Sequence, residues 1–412
     1  MNDVPRRLPA ELRVFCKVTF WAAAAAWLLA FVAGRAGLKY PYDWPMMPVD
    51  ALHDYSVYFE RFKLLHTSAF FTAPGHPFTY LAPTVVLYKI LYLFGRWGGF
   101  LVYMILTIAA VSFAFVRIRG GMLRRGFSKE LAEGLPLLIV IASYPIIFCI
   151  QRGNLEMLIA IGLAFGTWAY WRDRTWTAAI VWGVFGSVKL YPLVLLAVFL
   201  SFRQYRQFFV SMLAAITTTL LSLLYIGPDL RTAWTGISGG LDTFLKLYSL
   251  RIDYWIGFDH SLFALLKLNI HGVALPLLLR GYMITLAVVM LTLYFLRIRK
   301  LPVANQLLIF TVASILLPPT SSDYTLLQLY APFLILVFVT IDSGQRISGL
   351  FAVFALLGLI FTPTNFFFYS GHGASGQIKC VLLVGLMTIA LIYPFSPKSA
   401  GVGVEAELIA AE

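Results

Sequence analysis

The chain has 412 residues, of which 60% are hydrophobic and only 12% charged, whereas a soluble globular protein carries roughly a quarter of its residues as Asp, Glu, Lys or Arg. Water is therefore excluded as the main solvent, and a hydrocarbon core that takes roughly 20 apolar residues per helix gives on the order of eleven to thirteen membrane helices for this length. The formal charge of +13 lies in short clusters between apolar runs, at 117–129, 171–174, 201–206 and 297–300, which is the pattern of cytoplasmic loops and not that of a nucleic-acid-binding face.

The first apolar run, Val14 to Val32, follows Arg6, Arg7, Arg13 and Lys17. It imitates a signal peptide but has no convincing cleavage site, and it reads as a first membrane helix with its N-terminus inside. Residues 34–77 then gather Asp43, Asp50, His53, Asp54, Glu60, Arg61, Lys63, His66 and His76 among several prolines. We read them as a large outer loop in which Val57, Phe59 and Phe62, set among charges, predict short helices lying along the interface.

Apolar segments follow at 78–95, 98–117, 134–150, 155–171, 176–202, 207–226, 273–296, 303–317, 325–341, 347–362 and 377–394. Residues 227–270 interrupt them with Asp229, Arg231, Asp242, Lys246, Arg251, Asp253, Asp259, His260 and Lys267, too many charges for a span, and read as a second outer loop. A smaller interruption covers 362–377. If every segment crosses once, the basic loops 117–129 and 171–174 fall outside, against the charge rule. They return inside if 78–95, weakened by Lys89, only dips into the membrane and 176–202 breaks at Lys189 and Pro192, where proline removes a helical hydrogen bond. The expected fold is one all-α polytopic bundle over 1–412.

The cysteines Cys16, Cys149 and Cys380 show no CxxC spacing, so neither a disulfide framework nor a zinc site is expected. The six histidines form no HExxH and the first loop no DxD, and no metal is expected. Ionisable residues near the membrane interior cost roughly 2.5–3.5 kcal/mol on insertion scales and tend to face polar cavities. Three groups fit that description: Asp54 in DYSVY; QRGNLE at 151–156 with SVKLYP at 187–192; and DHSL at 259–262 with SSDY at 321–324. Each has a plain structural alternative. Arg152 and Glu156 are spaced to pair on one helical face, Lys189 to snorkel from a helix end, and Asp54 to cap an interfacial helix; His260 and Asp323 could be ordinary loop residues.

A cavity with one outer carboxylate and several buried cations suits attack by a hydroxyl on an anionic substrate such as a lipid-linked sugar phosphate. The carboxylate takes the hydroxyl proton, and the departing phosphate needs positive charge from Arg152 and Lys189 more than it needs a second acid.

The order of DxxVY, FTYLAP, RGNLE and then KLYP about 35 residues later resembles glycosyltransferase family 87, membrane mannosyl- and arabinosyltransferases of the GT-C superfold that use polyprenyl-phosphate sugars. The RGN and KxYP pair also resembles the first mannosyltransferase of glycosylphosphatidylinositol-anchor synthesis, which carries a DxD that this chain lacks. The resemblance covers residues 40 to 330. It implies Asp54 as catalytic base, with Tyr58 shaping its pocket and Tyr80 of FTYLAP among the substrate-binding residues. Arg152, Asn154 and Glu156 match RGN-x-E, and Lys189 with Tyr191 matches KxYP. His260 and Ser261 stand where relatives have Gln-Ser, and Asp323 and Tyr324 where they have a Ser-Pro-x-x-Trp-x-His pattern.

The implied activity is inverting transfer of a sugar, mannose in the first instance, from polyprenyl phosphate to a lipid or glycan acceptor. The site would face the extracytoplasmic side of the inner (plasma) membrane, with no cofactor beyond the donor itself. Trp44, Tyr55, Tyr58, Tyr80, Tyr248, Tyr254 and Trp255 are candidates for stacking on sugar rings, or else for an interfacial aromatic belt. A secondary transporter or lipid-linked saccharide flippase would also hold charges in a central cavity, although the polar load here is lopsided where transporters repeat it in two halves. A non-catalytic subunit that kept the fold is a third class.

Overall fold

The computed structural model describes residues 7–37, 52–73, 79–141, 143–252, 254–343, 346–363, 368–369 and 372–395. Helix α1 (Ala10–Arg35) is followed by two single turns, α2 (His53–Ser56) and α3 (Ala69–Thr72). Next come α4 (Ala82–Tyr92), α5 (Gly95–Arg124), α6 (Lys129–Ile141), α7 (Tyr144–Arg152), α8 (Glu156–Trp171) and α9 (Thr175–Val188). A 3-10 turn at Tyr191–Leu196 leads through α10 (Ala197–Ser201) to α11 (Tyr205–Ile226). The second polar stretch holds α12 (Leu230–Phe244) and α13 (Leu262–Asn269). The chain finishes with α14 (Leu275–Leu296), α15 (Val303–Leu316), α16 (Tyr330–Ser343), α17 (Leu350–Ile360) and α18 (Ser375–Ile392). A two-residue antiparallel pair joins Phe368–Tyr369 to His372–Gly373.

Local chemistry explains the helix starts. Ser143, Asp229 and Ser261 each accept a hydrogen bond from a backbone N–H in the first turn of α7, α12 and α13, the role for which short polar side chains are favoured. Proline occupies the first turn of α4, α7 and α14, where its missing N–H costs nothing.

Among the described residues, six helical stretches are long and apolar enough to cross a membrane, and the sharply bent pair α6 and α7 makes a seventh. This is fewer than the eleven to thirteen expected. The apolar segments are present, but five of them, including α4, α9, α15 and α17, are helices of 10–17 residues. At 1.5 Å per residue a 14-residue helix reaches about 21 Å, short of a core about 30 Å thick. The expected break in 176–202 is there: α9 ends at Val188, Lys189 is extended, and the chain restarts as the Tyr191–Leu196 turn with Pro192 inside it. The 78–95 segment is likewise a short helix of 11 residues.

Helix α15 forms the axis of the bundle. Every residue from Ala304 to Leu316 is buried, as expected for a helix apolar all round, and α16, α18 and the Tyr191–Leu196 turn pack around it. Helices α5, α11 and α14 instead expose rows of Leu, Ile and Phe, such as Leu101, Ile105 and Ile108 or Leu277, Ile284 and Val288. Such faces suit hydrocarbon, where every backbone polar group is already satisfied inside the helix.

The four basic clusters gather at one end of the bundle. Arg124 and Arg172 line one cavity, Gln207 donates to Thr175, the Ser201 hydroxyl donates to Tyr294, and Arg297 donates to the carbonyls of Leu391 and Ile392. The RGNLE and KLYP motifs lie at the opposite ends of α8 and α9, and DYSVY and SSDY pack beside them. Residues 52–73 do contain short helical turns, as expected, but they are packed against the bundle: Tyr55, Tyr58, Phe62 and Phe70 are buried with Tyr88, Tyr92 and Tyr103. Asp43, Asp50, Trp44 and His76 lie outside the described residues.

Close helix contact depends on small residues. A Cβ on Gly183 in α9 would come within 2.3 Å of the Ser211 carbonyl oxygen in α11, and the Ser211 hydroxyl donates to the Ala179 carbonyl at 2.7 Å. Gly183→Val is expected to cost on the order of 1–3 kcal/mol by overpacking, read as a lowered thermal midpoint in the same detergent. An unchanged midpoint would show that α9 and α11 separate freely.

Candidate active site

The site begins at a break between two helices. Gly153 ends α7 in the left-handed conformation, with φ 64° and ψ 35°, and a Cβ there would meet that of Tyr55 at 2.7 Å, so glycine is required for both reasons. The Cys149 thiol and the Tyr103 hydroxyl donate to the Asn154 carbonyl, and the Asn154 side-chain oxygen accepts from the Glu156 N–H at 2.9 Å. This turn separates residues that a continuous helix would have stacked on one face. Arg152 and Glu156 therefore do not pair with each other.

Arg152 instead grips Asp54 in a two-pronged ion pair, its Nε at 2.8 Å from Oδ2 and its second nitrogen on Oδ1. The Asn154 amide adds a third bond to Oδ2 at 2.8 Å. Asp54, Arg152 and Asn154 are all buried. The loop that supplies Asp54 is tied down by its backbone, with the Leu52 N–H on the Gln151 carbonyl at 2.8 Å and the Tyr88 hydroxyl on the Asp54 carbonyl at 3.0 Å. Asp54 is thus held by a guanidinium and does not serve as a helix cap.

Glu156 pairs with Lys189 and accepts from the Gln328 amide at 2.7 Å, while the Ser314 hydroxyl donates to the Gln328 side chain. Lys189 turns inward between the rings of Tyr191 and Tyr324, 5.6 and 5.0 Å away, and does not snorkel outward. Its side chain is 15% exposed against 0% for Glu156, so Lys189 is the less buried partner.

The third group is also a network. Asp323 accepts from the Tyr144 hydroxyl at 2.7 Å and from Lys379 at 2.9 Å, with His260 Nδ1 3.6 Å away. The other His260 nitrogen meets the hydroxyls of Ser321 and Thr325 at 3.0 and 3.1 Å. Asp259 accepts from the Ser261 and Ser321 N–H groups, and burial raises its carboxyl above the usual carboxylate range. The Ser261 hydroxyl caps α13, a structural task.

An aromatic wall joins the three groups: Tyr144 stacks on Phe148 and Phe148 on Tyr324, with Lys379 over Tyr144, Arg152 over Phe148 and Lys189 over Tyr324. Tyr58, Tyr80 and Tyr88 pack mutually on the Asp54 side. Burial raises the Tyr58 and Tyr80 hydroxyls well above their ordinary range, so both remain proton donors. Tyr55, a candidate for sugar stacking, is fully buried against Tyr92 and Phe100; the side chains of Tyr254 and Trp255 lie outside the described residues.

Lys379, Gln328, Tyr144 and Tyr88 complete these networks and were not singled out from the sequence. Lys379 had a visible signal, a lone cation early in the apolar run 377–394. The other three carry no charge and no motif.

A helical membrane bundle with ion pairs buried at one end and joined by tyrosines defines a membrane protein built to handle a polar, charged substrate. The chain belongs to glycosyltransferase family 87, whose family model matches residues 78–319, and it is accordingly a membrane glycosyltransferase. The matched stretch includes Arg152, Asn154, Glu156, Lys189, Tyr191, His260 and Ser261, whereas Asp54, Asp323, Tyr324 and Lys379 fall outside it. No curated protein and no solved structure matches the chain.

Breaking a buried pair from one side leaves an uncompensated charge, typically at a cost of about 3–5 kcal/mol. Glu156→Gln and Lys189→Met should each lower the thermal midpoint in detergent strongly, and the double variant should regain part of the loss. Strictly additive losses would mean that the two residues do not interact.

Proposed function

We propose that the protein transfers a sugar, mannose in the first instance, from a polyprenyl-phosphate donor to a lipid or glycan acceptor, with inversion, on the extracytoplasmic side of the inner (plasma) membrane. The observation that carries this reading is the Asp54 carboxylate gripped by Arg152 and Asn154 in a family 87 chain. A carboxylate offers about four lone-pair positions. Three are taken by Arg152 and Asn154, which leaves one for an acceptor hydroxyl.

In the reaction the acceptor oxygen bonds to the anomeric carbon as its proton passes to Asp54, and the bond from that carbon to the phosphate oxygen breaks with its electron pair. The phosphate leaves as an anion, so it needs a cation rather than an acid. Lys189 is the partly accessible cation beside Tyr191 and Tyr324 and takes that part, with fixed positive charge worth most in a dry site. Arg152 holds Asp54 in place and aims it, a narrower task than direct phosphate binding. Tyr58, Tyr80 and Tyr324 border the carboxylate as substrate-binding residues, and His260 and Asp323 brace the far wall. The donor brings its own activated phosphate, and no resident cofactor is invoked. Charge supports that side of the membrane: the arginine clusters gather at the end opposite Asp54, and by the positive-inside rule such an end faces the cytoplasm.

The test is transfer by purified protein in detergent, with radiolabelled polyprenyl-phosphate mannose and a lipid extract, for wild type and Asp54→Asn. Removal of a general base is expected to lower the rate by about 10²–10⁴, with both proteins eluting as the same folded species. Equal rates would remove Asp54 from the role. No transfer by folded wild type from any of several donor sugars would overturn the assigned donor class.

A further inference from the structure

A cavity of about 390 Å³ opens between α5, α6, α8 and α16, at the end of the bundle away from Asp54. Its walls are apolar, among them Ala114, Ile139, Ala164, Phe165 and Leu334, and its deep end reaches Met157 and Leu327, the neighbours of Glu156 and Gln328. Its mouth is different in kind. Arg117, Arg124, Arg125 and Arg172 line it with Trp168 and Trp171, and the acid among the lining residues, Asp342, is engaged by Arg125.

Of the other three arginines, Arg117 lies over the rings of Phe113 and Trp168 at 6.0 and 5.8 Å. Arg124 and Arg172 are exposed and make no ion pair among the described residues. An apolar shaft under unpaired guanidinium groups fits a molecule with one apolar chain and an anionic phosphate head. Arginine meets phosphate with two parallel N–H bonds, tryptophan favours the headgroup level, and basic pockets between membrane helices hold anionic headgroups.

We propose that this cavity binds an anionic membrane phospholipid, with an acyl chain between α5, α8 and α16 and the phosphate on Arg117, Arg124 and Arg172. The site is separate from the sugar-transfer centre and faces the opposite leaflet. Its occupant's chain end would press on the same α8 turn that presents Glu156 on its other side. Charge selects the occupant: a zwitterionic lipid fills the shaft equally well but gains less at the mouth.

Native mass spectrometry of the full-length protein, titrated in detergent with phosphatidylglycerol or with phosphatidylcholine of the same chains, tests this. Phosphatidylglycerol should be retained at concentrations lower by about tenfold or more, and Arg124→Gln with Arg172→Gln should erase that preference while leaving phosphatidylcholine retention as it was. Ala164→Phe, which fills the shaft, should reduce retention of both lipids; the exposed arginine pair keeps the test decisive if the filled variant folds poorly. Equal retention of the two lipids by wild type, or an unchanged preference in the arginine variant, would overturn the proposal. So would displacement of phosphatidylglycerol by polyprenyl phosphate in proportion to transfer activity, which would assign the cavity to the donor.

Discussion

The grip of Arg152 on Asp54 is the interaction around which this end of the protein is organised. A buried carboxylate and a buried guanidinium are each expensive alone and tolerable together only when geometry and further hydrogen bonds are good. That condition fixes several features at once. Helix α7 must stop at Gly153 so that Arg152 faces the loop, Tyr55 must approach the glycine without a side chain in the way, and Asn154 must turn its amide to the carboxylate and its oxygen to the Glu156 N–H. The RGN-x-E spacing is the local code for this arrangement.

From there the polar framework extends in a defined direction. Glu156 opens α8 and faces Lys189 at the break after α9, and Gln328 links both to the central helix α15 through Ser314. Asp323, on the turn before α16, binds Tyr144 at the start of α7 and Lys379 near the start of α18. Each anion is supplied by a helix start or a loop and each cation by a helix end or a neighbouring helix. The charges are therefore matched where helices break, which is where backbone groups also need partners. The aromatic wall of Tyr144, Phe148 and Tyr324 gives the three pairs a common face.

Much of this was legible in the sequence. Apolar run length gave the positions of nearly every helix, because hydropathy directly reports the burial of backbone in lipid. The interruption at Lys189 and Pro192 was readable because proline cannot continue a helix and a cation resists the membrane interior. Fewer stretches than expected are long enough to cross a membrane on their own, because several apolar runs, that of α15 among them, form helices of only 10–17 residues. The site was half legible. Charged residues in or beside apolar runs announce themselves, as Arg152, Glu156, Lys189 and Asp323 do, whereas Asp54 stands in a polar loop and is marked by its DYSVY motif. Partner choice was not, because the helical spacing of Arg152 and Glu156 suggests a pair that the Gly153 turn forbids. Neutral partners such as Gln328 and Tyr88 look like ordinary members of apolar helices, and only three-dimensional proximity reveals them.

The separation of Arg152 from Asp54 by 98 positions along the chain also bears on how the protein is made. Chains emerge from the N-terminus onward, so Asp54 is synthesised well before its counter-ion, and a carboxylate bears no desolvation cost for as long as it stays in water. Arg152 then arrives at the end of an apolar helix and finds a waiting anion. The same order holds at the far wall, where Asp323 precedes Lys379 by 56 positions and the cation is again the later arrival, on a membrane-length helix. In both pairs the anion precedes the cation along the chain, so neither part of the site can close until the later helix is in place.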